Sequence, residues 1–284
     1  MRSSLLLLAC LTLVMLAGEA DAGKEPVWSY ETDSYVDAVA VSADGEYIAV
    51  GSDKVFLFDK DGTLLDFNST WVPVNRAAAL TVAGGDSGIA RYLLEECGQD
   101  EAAGRVMAGT LLAVGTTTEI AGRWAELYPD HGHADIVGLV DEVFQREEVE
   151  AAVPVSGLVA TLTRLHEEGL ILGVATSDSH AGALQSLSSF GVLELFDFVV
   201  GHDSGHGAKP GPGMVEAFCR ETGLSVDNIC VVGDNTHDLE MGRNARAALV
   251  VGVLTGTGST DDLAPAADHV IDSIATLDCL LDLR

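Results

Sequence analysis

Two aspartates, Asp59 and Asp61, lie two positions apart directly after the apolar run VFLF at residues 55–58. The run has the length and composition of a buried strand, and Gly62 permits a tight turn after the second carboxylate. Two such carboxylates could divide the work of phosphoryl transfer: one attacks phosphorus, and the other protonates the leaving oxygen and later activates water. The stretch could also be only a strand with a hairpin turn, so the downstream sequence must distinguish the two.

Three later segments also place polar side chains beside apolar runs. At Thr176 and Ser177, the threonine hydroxyl and the adjacent backbone amides could donate hydrogen bonds to phosphate oxygens. Lys209, one of only four lysines in the chain, could neutralise phosphate charge and restrain the nucleophile. Asp234 offers the hard oxygen ligand that Mg²⁺ prefers, and Asp238 could bind metal through water or hold Lys209. Taken singly, each has an ordinary explanation, such as a helix cap or a solvated lysine.

These residues need a framework that brings them together, and the pattern of the sequence predicts one. From about Ser156, short apolar runs alternate with helical patterns, which favours an α/β fold with a doubly wound parallel sheet covered on both faces. Between residues 67 and 153 the pattern is helical without an obvious strand, with a capping box at Thr116 and Glu119, and it predicts a helical cap inserted after the first core strand. Ligands of such sheets bind beyond the carboxyl ends of the strands.

The first 53 residues do not follow this pattern. Residues 1–22 join Arg2 to a short apolar stretch and then to small residues, which is typical of a cleavable secretory signal and too short for a stable membrane anchor. Residues 23–53 alternate short strand patterns with tight turns and resemble a single β-propeller blade. We therefore expect a signal-like segment at 1–22, which favours periplasmic or secreted export, an appended β-element at 23–53, and a catalytic domain at 54–284.

Charge and cysteine content argue against several classes of function. The chain has 44 acidic and 15 basic residues, a formal net charge of −29, and such a surface repels nucleic acids and anionic lipids. Its five cysteines form no C-x-x-C pair, which disfavours a zinc knuckle or a disulfide scaffold. Nucleic acid is therefore not an expected partner.

Together, the four polar segments resemble the haloacid dehalogenase superfamily from about Lys54 to the carboxyl terminus. The stretches FDKDGT (58–63), DSGHGAKP (203–210) and GDNTHD (233–238) are most similar to its phosphoglycolate phosphatase-type members with a helical cap. The resemblance implies Mg²⁺ as cofactor, a small phosphorylated metabolite as substrate, and a cytoplasmic location, in contrast to the signal-like segment. It also implies a role for individual residues: Asp59 as nucleophile and metal ligand, Asp61 as acid/base and as a ligand through its backbone carbonyl, Thr176, Ser177 and Lys209 as phosphate binders, and Asp234 as metal ligand.

Several reactions share these elements. A carboxylate at Asp61 favours phosphoryl transfer over dehalogenation, and the predicted cap has no lysine for Schiff-base chemistry. A sugar phosphomutase and a non-enzymatic exported binding protein with a phosphatase-like scaffold stay open as alternatives to a phosphatase. The cap also has arginines that could meet a substrate carboxylate or lie on solvated helix faces, the commoner fate of arginine. These arginines are Arg76, Arg91, Arg105, Arg123 and Arg146.

Overall fold

The computed structural model describes residues 38–41, 48–51, 55–129 and 133–277. The chain divides into two units after Lys54. In the first unit, β1 (Ala38–Val41) and β2 (Ile48–Gly51) pair antiparallel. The predicted signal-like segment at 1–22, and the rest of the blade-like element, lie outside the described residues. No helix in the described part of the chain is both long enough and apolar enough to cross a membrane.

The second unit is built on a six-stranded parallel sheet, which confirms the predicted doubly wound α/β fold. Its strands have the spatial order β10-β9-β8-β3-β6-β7. A two-stranded antiparallel pair, β4 and β5, lies in the cap. The strand bounds are β3 (Val55–Phe58), β4 (Gln99–Asp100), β5 (Arg105–Val106), β6 (Ile171–Ala175), β7 (Phe198–Val200), β8 (Ile229–Gly233), β9 (Leu249–Val253) and β10 (His269–Ile271).

The helices fall into a cap group and a core group. Helices α1 to α5 form the cap group between residues 67 and 151, and α6 to α10 connect or flank the sheet strands. The bounds are α1 (Phe67–Val82), α2 (Ser87–Glu96), α3 (Leu111–Val114), α4 (Thr117–Leu127), α5 (His133–Ala151), α6 (Leu158–Glu167), α7 (His180–Ser189), α8 (Gly213–Thr222), α9 (Thr236–Ala245) and α10 (Thr260–Leu263).

The middle of the sheet is buried on both faces. Every residue of β3 and of β8 is buried, as expected for central parallel strands that read as continuous apolar runs. One hydrophobic cluster packs on each face of this sheet, and both include residues of β3. The polar residues that follow β3 and β8 are therefore attached to strands that are packed on both faces.

The cap has a hydrophobic core of its own, and its two connections to the sheet lie side by side. Its buried cluster includes Trp124, which is fully buried. At the base of the cap, the Asp66 amide donates to the Val153 carbonyl at 2.9 Å, and the Val155 amide donates to the Leu64 carbonyl at 3.0 Å. The chain thus enters and leaves the cap through one narrow, hydrogen-bonded neck.

Candidate active site

The candidate site lies at the carboxyl ends of three neighbouring strands, β6, β3 and β8. The Asp59 amide donates to the Val232 carbonyl of β8 at 2.8 Å, and the Thr176 amide donates to the Val200 carbonyl of β7 at 3.0 Å. These bonds extend the ladders past the strand ends and fix the first polar residue after each strand. Asp234 directly follows Gly233, the last residue of β8.

Of the six residues to which the family resemblance gives a role, five line one cavity of about 310 Å³. They are Asp59, Asp61, Thr176, Ser177 and Asp234. The sixth, Lys209, reaches the same place, because its ammonium contacts an Asp59 carboxylate oxygen. The structure therefore brings all six together.

Lys209 is buried between two carboxylates. Its Nζ lies 2.5 Å from Asp59 Oδ1 and 2.6 Å from Asp238 Oδ1, and its side chain is 2% exposed. Burial lowers the pKa of Lys209, but the charges of Asp238 and Asp59 outweigh burial and leave the pKa above its ordinary value. The ammonium therefore stays charged and holds the Asp59 side chain in one orientation.

Three buried carboxylates, those of Asp59, Asp234 and Asp238, bring ligand atoms within 4.8 Å of one another. One ammonium, that of Lys209, opposes these three charges, so the cluster keeps an excess of negative charge. Burial, followed by the charge of Asp238, raises the pKa of Asp59 from 3.8 to about 7. The same two causes raise the pKa of Asp234 well above 3.8. This set of hard oxygen donors fits a divalent cation such as Mg²⁺.

Backbone packs closely around Asp234. The Thr257 amide donates to its Oδ2 at 2.8 Å, and a Cβ atom added at Gly62, whose φ is +91°, would lie 2.5 Å from its Cγ. A Cβ added at Gly256 would overlap the same carboxylate. Glycine at these two positions lets the loops after β3 and β9 close on the carboxylate and fix its direction.

Asp61 is held by groups that the sequence analysis did not assign. Trp71 Nε1, on α1 of the cap, donates to Asp61 Oδ1 at 2.9 Å. The ammonium of Lys60 lies 3.1 Å from Asp61 Oδ2 and 3.1 Å from Asp178 Oδ2, and the Lys60 side chain is fully buried. A core cation and a cap indole thus fix both oxygens of the proposed acid/base.

Thr176 is placed to offer a proton to the cavity. It is 1% exposed, and its Oγ1 accepts a hydrogen bond from the Asp178 amide at 3.1 Å. Because that bond uses the hydroxyl oxygen as acceptor, the hydroxyl proton is available for an anionic oxygen. Ser177 follows it on the cavity wall, and His202 and His237 add to the same wall on the core side.

Known proteins share both the sequence pattern and the fold. A family model described as haloacid dehalogenase-like hydrolase matches residues 54–246. Pyrophosphatase PpaX from Halalkalibacterium halodurans is 30% identical over 152 residues, which are 53% of this chain and 64% of that protein. The match thus spans less than two thirds of that relative's length.

Two further comparisons cover more of each molecule. Phosphoglycolate phosphatase from Vibrio cholerae is 26% identical over 228 residues, which are 79% of this chain and 95% of that protein. The crystal structure of a predicted phosphoglycolate phosphatase from Haemophilus somnus 129PT superposes with a TM-score of 0.63 at 22% identity, over 82% of this chain and 98% of that one. At that identity, the structural match bears on the fold alone.

Proposed function

The chain belongs to the haloacid dehalogenase-like hydrolases, and from this premise we propose that it is a Mg²⁺-dependent phosphatase acting on a small phosphate monoester. The observation that carries the proposal is the buried cluster in which the Lys209 ammonium bridges Asp59 and Asp238 beside Asp234. The relatives named as phosphatases favour hydrolysis over transfer between sugar positions. The match to phosphoglycolate phosphatase from Vibrio cholerae, which covers 95% of that protein, favours a small substrate.

The reaction takes two steps on the residues of this chain. First, an Asp59 carboxylate oxygen attacks phosphorus, the bond from phosphorus to the ester oxygen breaks, and Asp61 gives its proton to that oxygen. Then Asp61 takes a proton from water, the water oxygen attacks phosphorus, and the bond from phosphorus to Asp59 breaks to release inorganic phosphate. Thr176, Ser177 and Lys209 hold the phosphoryl oxygens and the nucleophile in place during both steps.

Mg²⁺ would be held by Asp59, Asp234 and the backbone carbonyl of Asp61, with Asp238 at the edge of the cluster. When bound, it would offset the excess of buried carboxylates and stabilise the charge of the phosphoryl oxygens. Lys60 and Trp71 hold Asp61 from opposite sides, and we propose that they act as positioning residues for its proton transfers.

The protein is expected to release phosphate from p-nitrophenyl phosphate and other monoesters with Mg²⁺ and not with EDTA.

The Asp61→Asn variant is expected to lose roughly 10²- to 10⁴-fold in rate, because an amide cannot serve as acid or base. Colorimetric phosphate release measures both. The side-chain oxygen of asparagine can still accept the hydrogen bond from Trp71 Nε1. The melting temperature of the variant is the control for an intact fold. Full activity in Asp61→Asn would reject the acid/base assignment, and no metal-dependent turnover on any monoester would favour a binding function.

The raised pKa of Asp59 predicts a pH-dependent response to metal. Because the folded state binds this proton more tightly than the unfolded chain does, the metal-free fold loses stability as the pH rises from 3.8 through about 7. Mg²⁺ binds the deprotonated carboxylates, so it should raise the melting temperature more at about pH 8 than at about pH 6. At about ten times the dissociation constant the gain is about 1.4 kcal/mol, roughly 3 to 5 °C.

Differential scanning fluorimetry with MgCl₂ or EDTA at the two pH values measures this response. Asp234→Asn serves as the control, since asparagine keeps the oxygen that accepts from the Thr257 amide but removes a charge from the cluster. We expect a smaller Mg²⁺ increment in this variant. Equal increments at both pH values, or an undiminished increment in Asp234→Asn, would contradict the placement of the metal.

A further inference from the structure

The cap side of the cavity differs in chemistry from the core side. The core supplies the phosphoryl-handling residues described above, whereas the cap supplies aromatic, aliphatic and neutral polar side chains and one acid, Asp141. Among the described residues that line the cavity, the cap contributes no arginine, lysine or histidine. The side chains that the argument uses are Trp71, Phe144, Asp141 and the threonines Thr116, Thr117 and Thr118.

The five cap arginines lie away from this wall. None of them lines the cavity, and three form ion pairs with glutamates on the cap itself. These pairs are Arg76 with Glu101 at 3.0 Å, Arg91 with Glu95 at 2.6 Å and Arg123 with Glu126 at 3.0 Å. The other two, Arg105 and Arg146, are exposed. The question that the sequence left open is thereby answered: these arginines are not placed to meet a substrate carboxylate.

The part of a phosphate monoester that faces the cap is its alcohol. A carboxylate or second phosphate on that alcohol would leave water for a wall whose described residues include one carboxylate and no cationic side chain. An anion without a compensating partner is costly to desolvate. An uncharged alcohol meets the aromatic pair Trp71 and Phe144, whose ring centroids are 5.5 Å apart in an edge-to-face arrangement, and threonine hydroxyls that can bind its hydroxyl groups.

We propose that the substrate is a phosphate monoester of an uncharged alcohol, so that the phosphoryl group is its only anionic part. This inference rests on the proposed phosphatase function and narrows it. It separates this chain from the activities named for its relatives, because phosphoglycolate carries a carboxylate and pyrophosphate carries a second phosphate on the leaving side. Asp141 is the one carboxylate among the described cap residues of the wall that the alcohol faces.

The test compares 2-phosphoglycolate with 2-phosphoglycolamide, in which a neutral amide replaces the carboxylate and the phosphate is unchanged, in the presence of Mg²⁺. The wild-type chain is expected to show kcat/KM at least about tenfold higher for the amide. Asp141→Asn should raise kcat/KM for phosphoglycolate about threefold or more, and narrow the ratio, because it removes like-charge repulsion. Glu142→Gln is the matched control, because Glu142 is an exposed neighbour of Asp141 on α5 but does not line the cavity. This variant removes one charge and should leave the ratio of the two kcat/KM values unchanged.

The outcomes separate this inference from the function on which it rests. Hydrolysis of both esters with equal or better use of phosphoglycolate would overturn the substrate class and leave the phosphatase intact. An equal change of the ratio in Asp141→Asn and Glu142→Gln would show that general charge, and not the cavity wall, sets the preference. Failure to hydrolyse either ester or p-nitrophenyl phosphate with Mg²⁺ would reject the phosphatase and the substrate class together.

Discussion

Asp59→Asn is expected to abolish phosphate release, with a loss larger than the roughly 10²- to 10⁴-fold typical of removing a general acid or base. The amide nitrogen and oxygen are poor nucleophiles, and without a covalent intermediate the two-step route has no first step. Phosphate release with Mg²⁺ measures the loss. Incubation with substrate followed by intact-mass spectrometry after acid quenching should show a phosphorylated species for the wild type and none for this variant.

The melting temperature of Asp59→Asn distinguishes the loss of the nucleophile from damage to the fold. Asp59 is one of three buried carboxylates near the Lys209 ammonium. Its pKa is raised to about 7, which means that its charged form is less favourable in the folded protein than in water. Replacing it with a neutral amide should leave the metal-free melting temperature near pH 8 unchanged or higher. A variant that is inactive and also strongly destabilised in EDTA would not support the nucleophile assignment, and retention of full activity would reject it.

Lys209→Met is expected to damage both catalysis and stability. Methionine nearly matches the volume of the lysine stem, but it leaves Asp59 and Asp238 buried without their shared cation. Breaking a buried pair by removing one partner typically costs about 3 to 5 kcal/mol. Because the pKa of Asp59 should rise further without the ammonium, the deficit should be larger at about pH 8 than at about pH 6. Urea unfolding at the two pH values, in EDTA, measures it.

A second substitution tests whether charge is the cause. Adding Asp238→Asn to Lys209→Met removes one of the stranded carboxylates, so the double variant should recover part of the stability without recovering activity. The amide of asparagine can still accept from the Asn235 backbone amide, which now donates to Asp238 Oδ2 at 3.1 Å. A deficit below about 1 kcal/mol in Lys209→Met, or no recovery in the double variant, would show that Lys209 does not balance the cluster.

The sheet and its strand-end residues were predictable because their signals are local. Central strands β3, β6 and β8 are unbroken apolar runs, and strand-end polar residues converge wherever parallel strands are neighbours. The capping box at Thr116 and Glu119 is confirmed at the start of α4, since a cap depends on side chains only three positions apart.

The short strands at the edge of the sheet and in the cap were harder to predict from the sequence. Strand β10 has three residues, of which none is fully buried, and it gave no apolar run. Strand β7 begins only at Phe198, although Phe196 is also apolar, because Phe196 ends a short 3₁₀ turn at Leu193–Leu195. The cap, predicted without strands, contains the two-residue pair β4 and β5, which is too short to leave a periodic pattern.

The support of Asp61 could not be derived from the sequence either. Lys60 and Trp71 meet Asp61 only after the cap has folded over the sheet, and Asp178 reaches Lys60 from another strand end. No spacing in the chain encodes such contacts. The rarity of lysine was the one available hint, since a buried lysine at a strand end needs carboxylate partners.

The neck of the cap bears on how such a molecule diversifies. Asp66 and Val153 are hydrogen-bonded neighbours, so their chain directions run side by side at about one strand spacing, roughly 4.8 Å. A module whose two ends nearly touch can be exchanged for another, longer or shorter, without shifting any strand of the sheet below it. On the proposed function, the sheet domain carries out phosphoryl transfer and the cap selects the alcohol. Evolution can therefore change the cap, and with it the substrate, while the catalytic residues of the sheet domain stay the same.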